Sequence, residues 1–292
     1  MLICFSGGGA VTHAALLSGK YQHFIANDID DRLVKLFIDC AYGKYTVENH
    51  PEWISREEFK AKKDKDAYIA LVWSFANNGK DYLYGKDIEG MKYAYHRAVY
   101  FDDLEALKPY GYNLTRSDKT SLYERYLDYQ RQIKRQTPNI QLEVVTRQTE
   151  IERLQSLQSL QSLQSLQSLQ SLQSLHLDYQ EVDIPEGALI YCDPPYNNTN
   201  CGKYSGFDSE RFYKWAREQD NIFISEYQMP DNFITVAYIA KPILSAANGN
   251  SKKAKESIFT NRKTYEKMTE AQRQKIALNN ARQLTLFERI TR

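Results

Sequence analysis

The apolar residues of this chain include short continuous runs set far apart. Leu2-Ile3-Cys4, Phe24-Ile25-Ala26 and Ala188-Leu189-Ile190-Tyr191-Cys192 lack the alternation of a half-exposed strand. Such runs predict strands buried on both faces, as in a parallel sheet. Ala10 to Ser18 reads as a helix between the first two. From about 43 to 150 the pattern is helical, and Phe212 and Trp215 mark a later helix with a core-facing side.

One stretch obeys neither period. Leu-Gln-Ser occurs seven times from Leu154 to Ser174 and is closed by Leu175. On an α-helix each repeat turns about 300°, so the leucine stripe drifts by about 60° per repeat and circles the axis. On a strand, an odd period puts successive leucines on opposite faces. A 3₁₀ helix would align them, but long 3₁₀ runs are unfavourable. The 3.5 spacing of a leucine zipper is absent. The expectation is an irregular or α-helical spacer away from the chemistry, ahead of a strand carrying Asp178.

The candidate chemistry sits where the predicted strands end. Asp193-Pro194-Pro195-Tyr196 follows the run ending at Cys192, at the carboxyl end of a strand, where open α/β sheets bind ligands. The two prolines remove two N–H donors and stiffen the turn. Carbonyls and a carboxylate then form a row of acceptors beside an aromatic face. That set suits a nucleobase amine, whose delocalised lone pair attacks poorly unless its N–H bonds are polarised and the base is clamped. The competing reading is an ordinary strand-end turn. Phe5-Ser6-Gly7-Gly8-Gly9 lies between the first strand and helix. Its glycines allow close backbone approach to a ligand, and the helix start adds unpaired N–H groups. Asp28, nineteen residues after Gly9, suits a ribose hydroxyl pair. Nicotinamide and flavin enzymes share this loop-and-acid pattern, and the later motif decides between them.

The Asp-Pro-Pro-Tyr motif resembles that of the amino-group methyltransferases, which use S-adenosylmethionine, and with its initial Asp it is most similar to the adenine-N6 DNA enzymes. The loop matches their F-x-G-x-G, and the order of parts resembles the alpha group, to which the Dam-type enzymes belong. The resemblance covers roughly residues 1 to 263, the 151–176 stretch excepted. It extends to Ile222–Tyr227 and Glu256–Asn261 as later core strands. It implies an α/β fold, a Rossmann-like methyltransferase sheet with helices on both faces and an inserted, mainly helical target-recognition lobe. Asp193 and the Pro194 carbonyl would accept the amine hydrogens within the rigid Pro194-Pro195 turn, and Tyr196 would stack on the flipped base. Phe5, Gly7, Gly9 and Asp28 would hold the cofactor, Asp178 standing near its adenine, and no metal is implied. Members normally begin with a segment ahead of the loop that carries a cofactor-holding lysine, and this chain starts almost on the first strand. That departure leaves a catalytically impaired DNA- or clamp-binding protein as an alternative. Cytosine-N4 enzymes usually begin the motif with Ser, and RNA or protein-amide enzymes with Asn. Asp193 and the large inserted lobe weigh against both.

The expected organisation is residues 1–42 and 177–263 as the two parts of the catalytic domain, 43–150 as the lobe, 151–176 as the spacer and 264–292 as a basic tail. No apolar stretch approaches the roughly 20 residues of a membrane span, and no signal peptide is read. Four cysteines without Cys-x-x-Cys spacing argue against a zinc site or disulfide framework and for a reducing cytoplasm. Cys192 reads as packing rather than as a nucleophile.

Net charge is +1, but its distribution is uneven. Residues 251–292 hold eleven Lys/Arg against four Glu, a footprint shared by phosphate binding and solvated helix faces. In the lobe, cations interleave with tyrosines. Lys80, Lys86, Arg116, Lys119, Arg131, Lys134 and Arg135 are candidates for double-stranded DNA, although most single tyrosines there are expected to pack the lobe. Asn77-Asn78-Gly79-Lys80 reads as a tight turn. Asn197 to Tyr204 reads as a polar loop that closes over an extruded base, Lys203 reaching a phosphate; an ordinary surface loop is the plain alternative. Gln283-Leu284-Thr285-Leu286-Phe287 resembles the peptide by which bacterial DNA enzymes bind the sliding clamp. Gln283, Leu284, Leu286 and Phe287 would be its anchors on a mobile tail, and the alternative is the apolar face of a terminal helix.

Overall fold

The computed structural model describes residues 1–137, 149–196, 206–240 and 255–291. The chain forms two compact units, Met1–Val34 with Leu166–Arg292, and Lys35–Ser165. The first unit opens with β1 (Leu2–Ile3), α1 (Ala10–Leu17) and β2 (Phe24–Asn27). Helix α2 (Asp31–Ala41) carries the chain into the second unit. There follow α3 (Arg56–Lys62), α4 (Ala67–Val72), α5 (Lys86–Phe101), α6 (Leu122–Gln136) and α7 (Glu150–Gln158). The first unit resumes with α8 (Gln167–Gln170), β3 (Leu172–Leu175), β4 (Ile190–Cys192), α9 (Ser209–Glu218) and β5 (Ile222–Glu226). It closes with β6 (Phe233–Ala240), β7 (Lys255–Asn261), α10 (Arg262–Lys267) and α11 (Glu270–Thr291).

The seven strands form one sheet in the order β3-β2-β1-β4-β5-β7-β6. The pairs from β3 through β5 are parallel, and β7 runs antiparallel to both its neighbours. Continuous apolar runs suit the central strands because both their faces are covered. Leu2, Ile3, Ala26, Ile190, Cys192, Ile222 and Ile224 are accordingly buried. Phe212 of α9 is fully buried in the same unit's core, with Trp215 packed against it. Strand β6 lies at the sheet edge, and the sequence reading did not include it.

The second unit has its own core, built largely of aromatic residues. Trp73, Tyr82, Tyr84, Tyr95, Tyr126 and Tyr129 are buried there, and Trp53 stacks on Tyr84 at 5.5 Å. Glu150 is buried among them and bonded to His96 Nδ1 at 2.9 Å and to the Tyr84 hydroxyl. Burial pushes its carboxyl up, but the His96 and Tyr84 hydrogen bonds outweigh this and hold it below its ordinary value. The sequence boundaries at 43 and 150 fall inside this unit, which extends from residue 35 into the repeat at residue 165. Among the described residues, no helix is long and apolar enough to cross a membrane.

The repeat, expected to be irregular or α-helical, is partly helical and ends as a strand of the sheet. Its units pass through the end of α7, a 3₁₀ turn at Ser159–Leu163, α8 and β3. Across these changes the leucines are buried at 154, 163 and 169 and half-buried at 157, 160 and 166. The 3₁₀ turn, with three residues per turn, places leucines three apart on one side, and its short span avoids the poor geometry of a long run. The serine hydroxyls bond back to carbonyls three or four residues earlier, Ser156 to Glu152 at 2.9 Å and Ser162 to Ser159 at 2.9 Å. The last unit is strand β3, paired with β2 from Phe24↔Leu172 to Asn27↔Leu175. The expected strand carrying Asp178 therefore ends at Leu175, within the repeat.

Identical leucines in unlike surroundings are expected to respond unequally to truncation. Leu→Ala at 154, 163 or 169 should cost ~2–5 kcal/mol, the range for buried leucines, and at the half-buried Leu157, Leu160 and Leu166 clearly less. Urea unfolding of each variant measures this. A flat profile would mean that the repeat units exchange registers.

Candidate active site

The sheet changes direction of winding between β1 and β4, since β2 and β3 lie to one side and β5 to the other. Leu2 stands opposite Ile190 and Ile3 opposite Tyr191, and Cys4 N–H donates to Tyr191 O at 3.0 Å. Beyond the carboxyl ends of such a pair lies the natural ligand crevice of an open α/β sheet. The Gly-rich turn leaves β1 at this point and Asp193 leaves β4. A cavity of about 400 Å³ opens there, lined by Phe5, Ser6, Gly7, Gly8, Ala10, Val11, Asp28 and all of Asp193, Pro194, Pro195 and Tyr196.

The turn is shaped by its backbone. Gly7 at φ +49° and Gly9 at φ +80° are left-handed, a conformation that costs any residue with a Cβ. Gly9 caps the amino end of α1 and is not among the cavity's lining residues. Gly7 N–H donates to Asp28 Oδ2 at 2.7 Å, and Asp30 N–H to Asp28 Oδ1 at 2.9 Å. Asp28 is only 3% exposed, so its carboxylate holds the loop as well as facing the cavity. Asn27, which the sequence reading passed over, is buried and links three chain segments. Its amide donates to Cys4 O at 3.2 Å and Leu177 O at 3.0 Å, and its carbonyl accepts Leu177 N–H at 3.0 Å. The signal was a polar Asn-Asp pair closing an apolar run.

A second cavity of about 200 Å³ shares Phe5 as a wall. Tyr179 and Phe207 line it with Phe5, at ring-centroid distances of 5.5 and 5.7 Å from Phe5. Asp178 lies here, its Oδ2 3.2 Å from Arg211 Nη1 and its Oδ1 accepting Gln180 N–H at 3.0 Å. Burial pushes the Tyr179 phenol up to about 12, so it stays neutral. Phe207 and Arg211 were not anticipated, because only tertiary packing brings them to Asp178.

In the acceptor row Asp193 is exposed, Pro194 buried and Tyr196 half-buried. The Tyr196 ring meets Tyr227 edge to face, 4.8 Å away and tilted by 75°. Burial raises the Tyr196 phenol far above its ordinary value. Cys192 is fully buried, and burial likewise drives its thiol well up, so it is a packed thiol rather than a thiolate nucleophile.

The remaining candidates lie elsewhere. Lys80, Lys86, Arg116, Lys119, Arg131, Lys134 and Arg135 are all exposed on the second unit. Arg116 pairs with Asp102, and Lys119 with Asp118 at 3.2 Å. Tyr93 is 42% exposed, whereas Tyr82, Tyr84 and Tyr95 pack the core. Lys203 and the 197–204 loop fall outside the described residues. Gln283, Leu284, Leu286 and Phe287 lie on the backbone of α11, a helix rather than the expected mobile tail.

A mostly parallel seven-stranded sheet whose antiparallel strand β7 lies between β5 and β6, with this pair of loops at β1 and β4, defines a Rossmann-like methyltransferase. The model of the D12 class N6 adenine-specific DNA methyltransferase family matches residues 4–270, and the chain belongs to that family. Comparison with curated proteins gives no match. The chain is thus an adenine-specific DNA methyltransferase, and its family implies S-adenosylmethionine as the methyl donor.

Asp28→Ala leaves the Gly7 amide without its acceptor and removes a carboxylate from the cavity. It is expected to weaken S-adenosylmethionine binding about 10-fold or more, the scale of a lost charged hydrogen bond. Titration calorimetry measures this; unchanged affinity would remove Asp28 from the cofactor site.

Proposed function

We propose that this enzyme transfers the methyl group to N6 of an adenine flipped out of double-stranded DNA, at a sequence read by the second unit. The observation that carries the reading is the shared cavity: the Gly-rich turn and the Asp193–Tyr196 acceptor row line one space. The donor set fits S-adenosylmethionine. Phe5, Gly7 and Asp28 form one wall, Gly9 presents the start of α1, and the aromatic second cavity with Asp178 suits a purine ring. Bound there, the sulfonium supplies an electrophilic methyl group and departs as a neutral thioether.

The chain's own residues do the positioning. The Asp193 carboxylate and the Pro194 carbonyl accept the two N–H bonds of the adenine amine, which turns the nitrogen lone pair toward the methyl group. As the N–C bond forms, the nitrogen gives up one proton, with Asp193 the nearest carboxylate in the acceptor row. Flipping the base costs a few kcal/mol. Stacking on Tyr196 returns ~1–3 kcal/mol of it. The rate gain then comes mainly from orientation.

On the second unit, exposed Lys80, Lys86, Arg116, Lys119, Arg131, Lys134 and Arg135 supply phosphate contacts, which set register without reading sequence. Lys203 would add a contact beside the flipped base. Incubating the enzyme with unmethylated DNA and labelled S-adenosylmethionine, followed by nucleoside analysis, tests the reading: label is expected in N6-methyladenine. Asp193→Ala should lower transfer by about 100- to 1,000-fold, the scale of removing one positioned polar group, while DNA binding by gel shift is retained. Near-parental transfer by that variant would remove the motif from the chemistry.

The carboxyl-terminal segment adds a partner. Gln283, Leu284, Leu286 and Phe287 form a sliding-clamp peptide, whose docking in extended form requires the end of α11 to unwind. A peptide of residues 278–292 is expected to bind bacterial clamp at micromolar concentration (~8 kcal/mol) and to lose binding when Leu286 and Phe287 become Ala. Absence of binding by the parent peptide would end this assignment.

A further inference from the structure

The hydroxyl of Tyr196 enters a polar cluster that base stacking does not require. Tyr196 Oη lies 2.9 Å from Ser225 Oγ and donates to Glu256 Oε1 at 3.0 Å. Ser225 Oγ donates to the same carboxylate oxygen at 2.7 Å. Three side chains from three chain segments thus close a triangle around one acceptor. Ser225 on β5 is fully buried. It pairs with Ile258 of β7, so Glu256, two residues away along β7, lies one diagonal step off on the same sheet face. The antiparallel placement of β7 against β5 is what delivers this carboxylate to the tyrosine.

The phenol has one proton and two carboxylates in reach, because Asp193 also interacts with it by hydrogen bonding. A phenol that donates to Asp193 competes with the adenine amine for that carboxylate. A phenol that donates to the Ser225–Glu256 pair does not, and its ring is fixed at both ends, by the hydroxyl and by the edge-to-face contact with Tyr227. We propose that Glu256, together with Ser225, is a positioning residue for methyl transfer, holding the Tyr196 hydroxyl so that the ring stays set for the flipped base and Asp193 keeps its acceptor for the amine. This rests on reading Asp193 to Tyr196 as the amine site. Glu256 acts through Tyr196 and does not touch the reacting atoms.

The test is steady-state transfer by the full chain, with unmethylated genomic DNA and labelled S-adenosylmethionine. Glu256→Gln keeps the shape but replaces the charged acceptor. It is expected to lower kcat about 10- to 100-fold, the scale of one charge-assisted hydrogen bond, with KM for S-adenosylmethionine changed less than about twofold. In a Tyr196→Phe background the same substitution should cost less than about twofold, because the hydroxyl on which it acts is gone. An equal loss in both backgrounds would show that Glu256 acts by another route and overturn the proposal. So would parental kcat in Glu256→Gln while Asp193→Ala is inactive. Activity in Asp193→Ala would instead bring down the underlying reading of the site. Should Glu256→Gln fail to fold, Ser225→Ala removes a single hydroxyl from the same triangle. It is expected to reduce kcat about 3- to 10-fold in the parent and to have no effect beside Tyr196→Phe; additive losses there overturn the proposal equally.

Discussion

The parallel pairing of β1 with β4 is the contact on which the site depends. Leu2 and Ile3 meet Ile190 and Tyr191 across nearly the whole length separating the two motifs. Parallel strands point their carboxyl ends the same way, so one pairing brings both following loops to one edge of the sheet. The hydrogen bond from Cys4 to Tyr191 O continues the ladder to the residues just before each motif. A one-residue slip would turn every side chain of these strands to the other face. Leu2, Ile3, Ile190 and Cys192 are all buried, so a slip would misplace differently shaped side chains in a close-packed core rather than expose them.

A second layer of constraint comes from polar residues at the strand ends. Asn27 binds the end of β1 to the segment after β3, and Asp28 binds the Gly-rich turn to the segment before α2. Buried amide and carboxylate groups are costly unless satisfied, and here each is satisfied by backbone from a different loop. The same residues that face the cavity therefore set the shape of its wall. The left-handed glycines and the bond from Gly7 N–H to Asp28 together restrict the loop that walls the cavity. On the opposite side, β7 does the equivalent for the acceptor row through Glu256.

What was legible in the sequence was local. The strand ending at Cys192, the glycine turn after Cys4 and Asp28 at the end of an apolar run are each contained within a few residues, and fold class and family followed from them. The run 222–227 was read as a strand, and β5 covers Ile222–Glu226; the run 256–261 falls in β7. What was not legible was carried by tertiary pairing. Strand β6 has no motif of its own and takes its place from β7, through the register from Phe233↔Asn261 to Ala240↔Lys255. Arg211 reaches Asp178, and Ser225 with Glu256 reaches Tyr196, across separations that no spacing rule spans. The tyrosines of the second unit follow the plainer expectation: taken singly they were expected to pack the lobe, and Tyr84 and Tyr126 are core residues, while Lys80, Lys86 and Arg131 are exposed.

The repeat is the sharpest instance of context overruling sequence. Seven identical units cannot encode seven different structures, yet they occupy an α-helix, a 3₁₀ turn, a second short helix and a strand. The information lies at the two ends. Thr149 and Glu152 form a capping box that starts α7, and Arg153, whose guanidinium bonds the carbonyls of Leu71 and Val72, fixes that helix to the second unit's core. At the far end Leu177 is tied to Asn27, which holds the preceding residues in line with β2. Between two fixed ends, a period of three suits each element only briefly, and the chain passes through four of them. Strand β3 takes the last unit before Leu177, and its pairing with β2 runs to Asn27↔Leu175.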